Sequence, residues 1–335
     1  MTKSVTLADV ARKSKVSLST ASLVLRDKPG IPPETRKRVL NAAQALGYQL
    51  KPRKRAATPS AQVTLHNLGL VIKIEPDMPP HANPFYSQVL AGIEEACRRR
   101  KINLMYATLP VDEDNYPLEV PRLLTENHVD GFLLVGIFVN EAFMRLLGSQ
   151  AAPIVLVDAY SNFNAYDAVV SDNLHGAYEA VRYLISLGHQ HIGFVGAHPQ
   201  AYPSLHERRQ GYLQALQDQG IATSYVANSE MTPDSDFAAA TDLLQRYPSV
   251  TAVMGCNDNA ALATIRALQV QKRAVPGDVS VMGFDDIDVA SHVTPTLTTM
   301  HVDKVSMERM AVQLLGNRLE FPLFAVLKRH PARPG

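Results

Sequence analysis

Phe85, Tyr86, Asp158, Arg208, Asn257 and Asp258 are the residues of this 335-residue chain whose types could together hold a polar small molecule. Two carboxylates, a guanidinium and an amide can bond vicinal hydroxyls in pairs, and an aromatic face covers the apolar side of a pyranose or a base. Each residue also has a plainer use, since Asp158 or Asn257 can simply cap the segment that follows. Their places favour binding. Phe85 and Tyr86 follow an apolar strand-like run, Asp158 ends another, Arg208 opens a helical pattern, and Asn257-Asp258 follow a further strand.

Other constellations read as structure. His189-x-His191 has a metal-like look, but Gly188-His189 ends a helix and turns into a strand, and no third ligand accompanies the pair, so no metal is expected. Asp172-Asn173 suit a cap for a helix starting near His175, and Asp285-Asp286 a solvated loop capping the next helix. Cys97 and Cys256 stand far apart, in no ligand spacing, and read as two reduced, buried thiols.

The elements that must position these residues alternate. Strands are expected over 68–74, 103–108, 131–135, 154–158, 191–195, 252–255 and 279–283. Helices are expected over 85–101, 175–187, 207–218, 234–246, 257–269 and 304–318. Near-continuous apolar strands between amphipathic helices imply α/β architecture with parallel sheets covered on both faces. Some 270 residues of this pattern suit two lobes, with a ligand cleft outside the carboxyl ends of the strands.

The first fifty residues differ. Thr6-Leu7-Ala8-Asp9 opens a helix in capping-box style, Ser14-Lys15-Val16 interrupts it, Ser17 can cap a second helix, and a third runs from Pro33 to a stop at Gly47. Two short helices joined by a tight turn and braced by a third form a helix-turn-helix. The second helix would lead with Ser17, Leu18, Ser19, Thr20 and Leu23, hydroxyls for phosphates or base edges and leucines for thymine methyls. A generic three-helix bundle fits the same local pattern. Charge weighs on the DNA side: residues 1–60 hold thirteen Lys/Arg against three Asp/Glu, while the remainder is acidic and the whole chain nets only +1. Residues 51–66 form a basic, proline-containing linker with Lys51, Arg53, Lys54 and Arg55.

Residues 5–48 then resemble the DNA-binding head of the lactose/galactose-repressor (LacI/GalR) family. The landmarks are Asp9-Val10-Ala11, Val16 to Ser22, Glu34-Thr35-Arg36 and Leu46-Gly47-Tyr48. The likeness continues through Asn83-Pro84-Phe85-Tyr86, Ser171-Asp172-Asn173, Arg208 to Tyr212, Asn257-Asp258, Val275 to Ser280, Gly283 to Asp286 and Pro295 to Thr299. It implies a helix-turn-helix head (1–50), the linker (51–66) and a two-lobed, periplasmic-binding-protein-like effector and dimerisation domain (67–330). By the same likeness Leu18, Ser19 and Leu23 stand at base-reading positions and Ser17, Thr20, Ser22 and Arg36 where phosphates are held. It also resolves the six cavity candidates in favour of effector binding, and places Met231 where an aromatic often lines the pocket. Three departures stand out: Lys15 for a turn glycine, Pro32 for a capping serine, and no Pro-Asn-x-x-Ala-Arg-x-Leu hinge run in the linker.

The resemblance implies a homodimeric, ligand-responsive repressor that binds double-stranded operator DNA, with a carbohydrate as effector. No catalytic residue and no cofactor is expected, because the chain carries no Gly-x-Gly-x-x-Gly, Walker loop or His-Glu-x-x-His. The first residues lack the layout of a secretory signal and no apolar run is long enough for a membrane helix, so a cytoplasmic protein without membrane contact is expected.

Overall fold

The computed structural model describes residues 6–25, 31–46, 65–74, 83–112, 117–126, 128–147, 152–162, 166–196, 198 and 201–320. The basic run from Lys51 to Arg55 and the expected stop at Gly47 lie outside the described residues, as do the side chains of Leu18, Ser19 and Ser22. The chain divides into two compact units, Met1–Gln62 and Val63–Gly335.

The first unit is three helices, α1 (Leu7–Ser14), α2 (Leu18–Leu25) and α3 (Pro33–Ala45). The Asp9 carboxylate accepts from the Thr6 amide at 3.0 Å and its hydroxyl at 2.6 Å, so the short Asp does reach back to start α1. Lys15 ends α1 at φ +51°, the left-handed conformation that explains why glycine is the usual choice there. Ser17 Oγ then accepts from the Thr20 amide at 3.1 Å and caps α2. Pro32 offers no side-chain cap to α3, which starts on Pro33 at its first position instead. Val10, Ala21, Val24 and Val39 close a small core between the helices.

The second unit carries two five-stranded parallel sheets. The first is built from β1 (Asn67–Ile74), β2 (Asn103–Pro110), β3 (Gly131–Val135), β5 (Ile154–Val157) and β7 (Asp167–Val169), in the order β2-β1-β3-β5-β7. Helices α4 (Pro84–Arg100), α5 (Arg122–Thr125) and α6 (Glu141–Leu147) belong to it, and β4 (Phe138–Val139) pairs with β6 (Tyr160–Ser161) beside it. The second sheet is β8 (Ile192–Val195), β9 (Tyr225–Ala227), β10 (Ala252–Gly255), β11 (Ser280–Asp285) and β12 (Thr298–His301), in the order β12-β11-β10-β8-β9. Its helices are α7 (Asn173–Ser186), α8 (Pro203–Asp218), α9 (Pro233–Arg246) and α10 (Asp258–Val270). Finally α11 (Lys304–Glu320) follows β12 yet packs on α4, β3, β5 and β7 of the first lobe.

Both sheets are doubly wound with the same strand logic, the second strand lying on one side of the first and the later strands extending on the other. Register is set by apolar strands buried on both faces: Leu68 stands opposite Gly131, and Val253 between Val281 and Gly193. The expected strands and helices are all present within a few residues. Those not anticipated are β4, β6, α5 and α6, together with β7, β9 and β12, which lie at sheet edges.

Candidate functional site: the cavity between the two lobes

A cavity of about 500 Å³ opens at the carboxyl ends of both sheets. The first lobe contributes Lys73 at the end of β1, Asn83 to Tyr86 at the start of α4, and Asp158 just past β5. The second contributes Tyr202, Ser204 and Arg208 from α8 and its approach, Met231 after β9, Asn257 after β10, and Asp285 at the end of β11. This is the position at which doubly wound sheets hold their ligands. Asn83 caps α4 by accepting from Phe85 N–H at 3.0 Å, and Asn257 caps α10 by accepting from Ala260 N–H at 2.9 Å. Asn257 thus both caps a helix and lines the cavity, and two helix starts turn their positive ends to it.

Arg208 organises the second lobe's wall. Its guanidinium is buried, donates to Asn173 Oδ1 at 2.9 Å and to the Cys256 carbonyl at 3.0 Å, and pairs with Asp285 at 2.9 Å. The Phe284 ring lies 3.9 Å from it. Burial works against its charge, but Asp285 and Asp158 outweigh burial and raise its pKa. A planar donor fork locked in this way cannot be copied by a lysine.

Across the cavity Asp158 takes a hydrogen bond from Tyr86 OH at 3.0 Å, and its carbonyl takes one from Tyr202 OH at 2.9 Å. Burial pushes the Asp158 carboxyl up to about 6, with Arg208 and the Tyr86 hydroxyl pulling the other way. Asp158, Met231 and Asp285 all hold positive φ, at 45°, 59° and 117°. Non-glycine residues stay there only where the surroundings enforce it, a feature that collects at ligand sites.

Not every candidate lies in the wall. Asp258 does not line the cavity: its buried carboxylate accepts from Ile287 N–H at 2.8 Å and from Thr299 Oγ1, joining the end of β11 to β12. Burial holds it at about 6 as well. Asp285 departs from the solvated-loop expectation, being buried and paired with Arg208, because β11 runs two residues further than the apolar pattern suggests. The rule that singled out Asp158, an acid at a strand's carboxyl end, would have found it. Asp172 caps α7 through the His175 amide at 3.2 Å, whereas Asn173 is fully buried and bonds Arg208 and Tyr160. His189 bonds Thr251 and Ser280, and His191 bonds Tyr225, which accounts for the His-x-His pattern.

In the helical unit Leu23 is exposed on α2, Ser17 is exposed at its start, and Arg36 lies in the first turn of α3. The described geometry is that of a helix-turn-helix whose second helix leads with a capped N-terminus.

A helix-turn-helix unit followed by a two-lobed unit with a cleft between parallel sheets is the plan of a transcription regulator that answers to a small molecule. The model for bacterial regulatory proteins of the lacI family matches residues 6–50, and that for a periplasmic binding protein-like domain matches residues 181–326. The transcriptional regulator CelR of Thermobifida fusca is 32% identical, over 97% of this chain and 96% of that protein. The ribose operon repressor of Haemophilus influenzae is 30% identical, over 95% and 92%. Among solved structures, a CelR–cellobiose complex superposes with a TM-score of 0.66 at 30% identity, covering 94% of this chain and 93% of that one. The chain belongs to the lacI family of bacterial transcription regulators.

Proposed function

We propose that this regulator is a cytoplasmic, homodimeric repressor without enzymatic activity, and that a neutral carbohydrate in the interlobe cavity sets its affinity for operator DNA. Residues 1–50 act as the reading head, with Leu18, Ser19 and Leu23 at base edges and Ser17, Thr20, Ser22 and Arg36 on phosphates. Residues 51–66 supply a basic tether, and residues 67–330 bind effector and pair the protomers. Two heads would then meet a pseudo-palindromic site. Two relatives, one solved in complex with cellobiose and the other a ribose operon repressor, support the carbohydrate.

The observation that carries the reading is the preset Arg208–Asp285 pair facing Asp158, Tyr86 and Phe85 across about 500 Å³. A guanidinium and two carboxylates suit vicinal hydroxyls, and the aromatic pair suits a ring face. A ligand favouring one lobe arrangement shifts the population by its differential affinity.

A thermal-shift panel of neutral sugars, cellobiose and D-ribose included, tests this. One member should raise Tm by a saturable increment, since a ligand at a hundred times its Kd adds about 2.7 kcal/mol. Arg208→Lys should weaken that sugar about tenfold or more, because the charge remains but the paired donors go. A panel without a shift, or a variant binding as tightly as the parent, would contradict the assignment.

A further inference from the structure

The first turn of α11 is buried where the chain returns from the second lobe. Lys304, 7% exposed, donates from Nζ to the carbonyls of Asp285 at 2.5 Å, Asp286 at 3.1 Å and Val302 at 3.3 Å. Asp285 and Asp286 both hold positive φ, 117° and 56°, so the ammonium braces backbone that needs bracing. The carboxylate carried by that backbone is the one that faces Arg208 in the cavity.

One turn further on, Glu308 is 1% exposed and its Oε1 has no hydrogen-bond partner. The carboxyl fills the space over Gly92 of α4, where a Cβ would stand 1.1 Å from Oε2. Gln88, one turn before Gly92, has a buried Oε1 equally without partner, while its Nε2 donates to Asp288 of the second lobe at 2.6 Å. Both helices of the α4–α11 seam therefore bring an unpaired acceptor, and a proton on Glu308 would supply a donor.

The charges around Glu308 are accounted for. On its own helix start Asp303 and Lys304 act on it in opposite senses. On α4 Glu95 is taken by Arg98 and Arg99, Arg100 bonds Gln313 further along α11, and burial holds the Cys97 thiol at about 11. Strands β3 and β5 bring only apolar residues, and Asp167 of β7 pairs with Arg318 at the far end. Burial first, then Asp303, push the Glu308 carboxyl up to about 8.

We propose that Lys304 is the positioning residue for Asp285 and that Glu308 gates it by gaining or losing a proton, so that effector affinity falls as pH rises beyond neutrality. The inference rests on the cavity being the effector site. While Glu308 is neutral, the ammonium serves the three carbonyls and lies over the Phe85 ring, 5.8 Å from its centre. Once ionised, a carboxylate one turn away competes for it, the Asp285–Asp286 backbone loosens, and the acid facing Arg208 loses its fixed place.

Hydrogen exchange on the full chain reads this without any ligand. The peptide spanning residues 283–290 includes the Ile287 amide that bonds Asp258. After correction for intrinsic exchange, its protection should drop about threefold or more between pH 6.5 and pH 8.5. Glu308→Gln should hold protection equal at both pH values, Lys304→Met should lower it at both, and Lys304→Arg should restore it. An unchanged parent, or a Glu308→Gln chain that still loses protection, overturns the proposal. Calorimetric titration with cellobiose at the same pH values separates the two readings. A peptide that responds while cellobiose fails to bind at either pH counts against cellobiose as effector and leaves the gate standing. Cellobiose that binds with one Kd at both pH values, in parent and Glu308→Gln alike, removes the gate.

Discussion

Asp158 shows how one residue's surroundings set the conditions under which the cavity works. Its pKa of about 6 lies above the ordinary aspartate value, so the folded protein binds a proton that the unfolded chain has released. Its contribution to stability is therefore present below pH 4 and is lost as pH climbs through about 6, the reverse of an ion-paired aspartate. Ligand binding runs the other way, because hydrogen bonds from hydroxyls to the ionised carboxylate are charge-assisted and stronger. Affinity for the effector should rise up to about tenfold per unit between pH 4.5 and 6 and then level off, before the fall expected beyond neutrality. Asp158→Asn should flatten that limb, while Asp258→Asn, altered outside the cavity wall, should keep it. Titration calorimetry across this range checks both, and a slope retained in Asp158→Asn would move the titrating acid elsewhere. At this scale the sequence was informative wherever a polar residue directly followed a recognisable strand. Asp285 escaped because Phe284-Asp285 still belongs to β11, so the acid at that strand's end stood two residues beyond the end that the apolar run marked.

Among the elements, the central strands and long helices were legible because burial on both faces demands continuous apolar runs and one-sided burial demands helical periodicity. Of the edge strands, only β2 was. Tyr225–Ala227, Asp167–Val169 and Thr298–His301 each pair on one side only and are short, and the last two include polar residues that suit an open edge. What no periodicity reveals is how closely two helices approach. Gly211 on α8 lies so near α7 that a Cβ would stand 2.2 Å from the Leu174 carbonyl oxygen, a backbone atom that cannot step aside. Gly211→Ala should force α7 and α8 apart and cost about 1–3 kcal/mol, read as a fall in Tm. Because α8 carries Arg208 and α7 begins with its partner Asn173, the same variant should also weaken effector binding. A chain with unchanged Tm would mean that the two helices slide without loss.

The whole molecule separates its two tasks by charge as well as by fold. Thirteen basic residues against three acidic ones lie within the first sixty, and the rest of the chain is acidic, so attraction for a polyanion is concentrated in the head. The cavity, in contrast, is lined among the described residues by side chains from Lys73 to Ile287 of the second unit. Deleting residues 1–62 should therefore leave the effector-induced rise in Tm unchanged while abolishing retention of operator DNA. The intact chain should bind operator with a steep salt dependence, since each phosphate contact contributes about 0.9 to the slope of log K against log salt. Leu23→Ala should lower affinity for operator relative to random duplex without altering that slope, because an exposed leucine can contact a base but releases no counterion. Filter binding or electrophoretic retardation at three or more salt concentrations reads specificity and slope together. A truncated chain that loses the sugar response along with the DNA would show that the cavity needs the head to form. A Leu23→Ala chain that changes the slope but not the specificity would take α2 out of the groove and leave it on the phosphates.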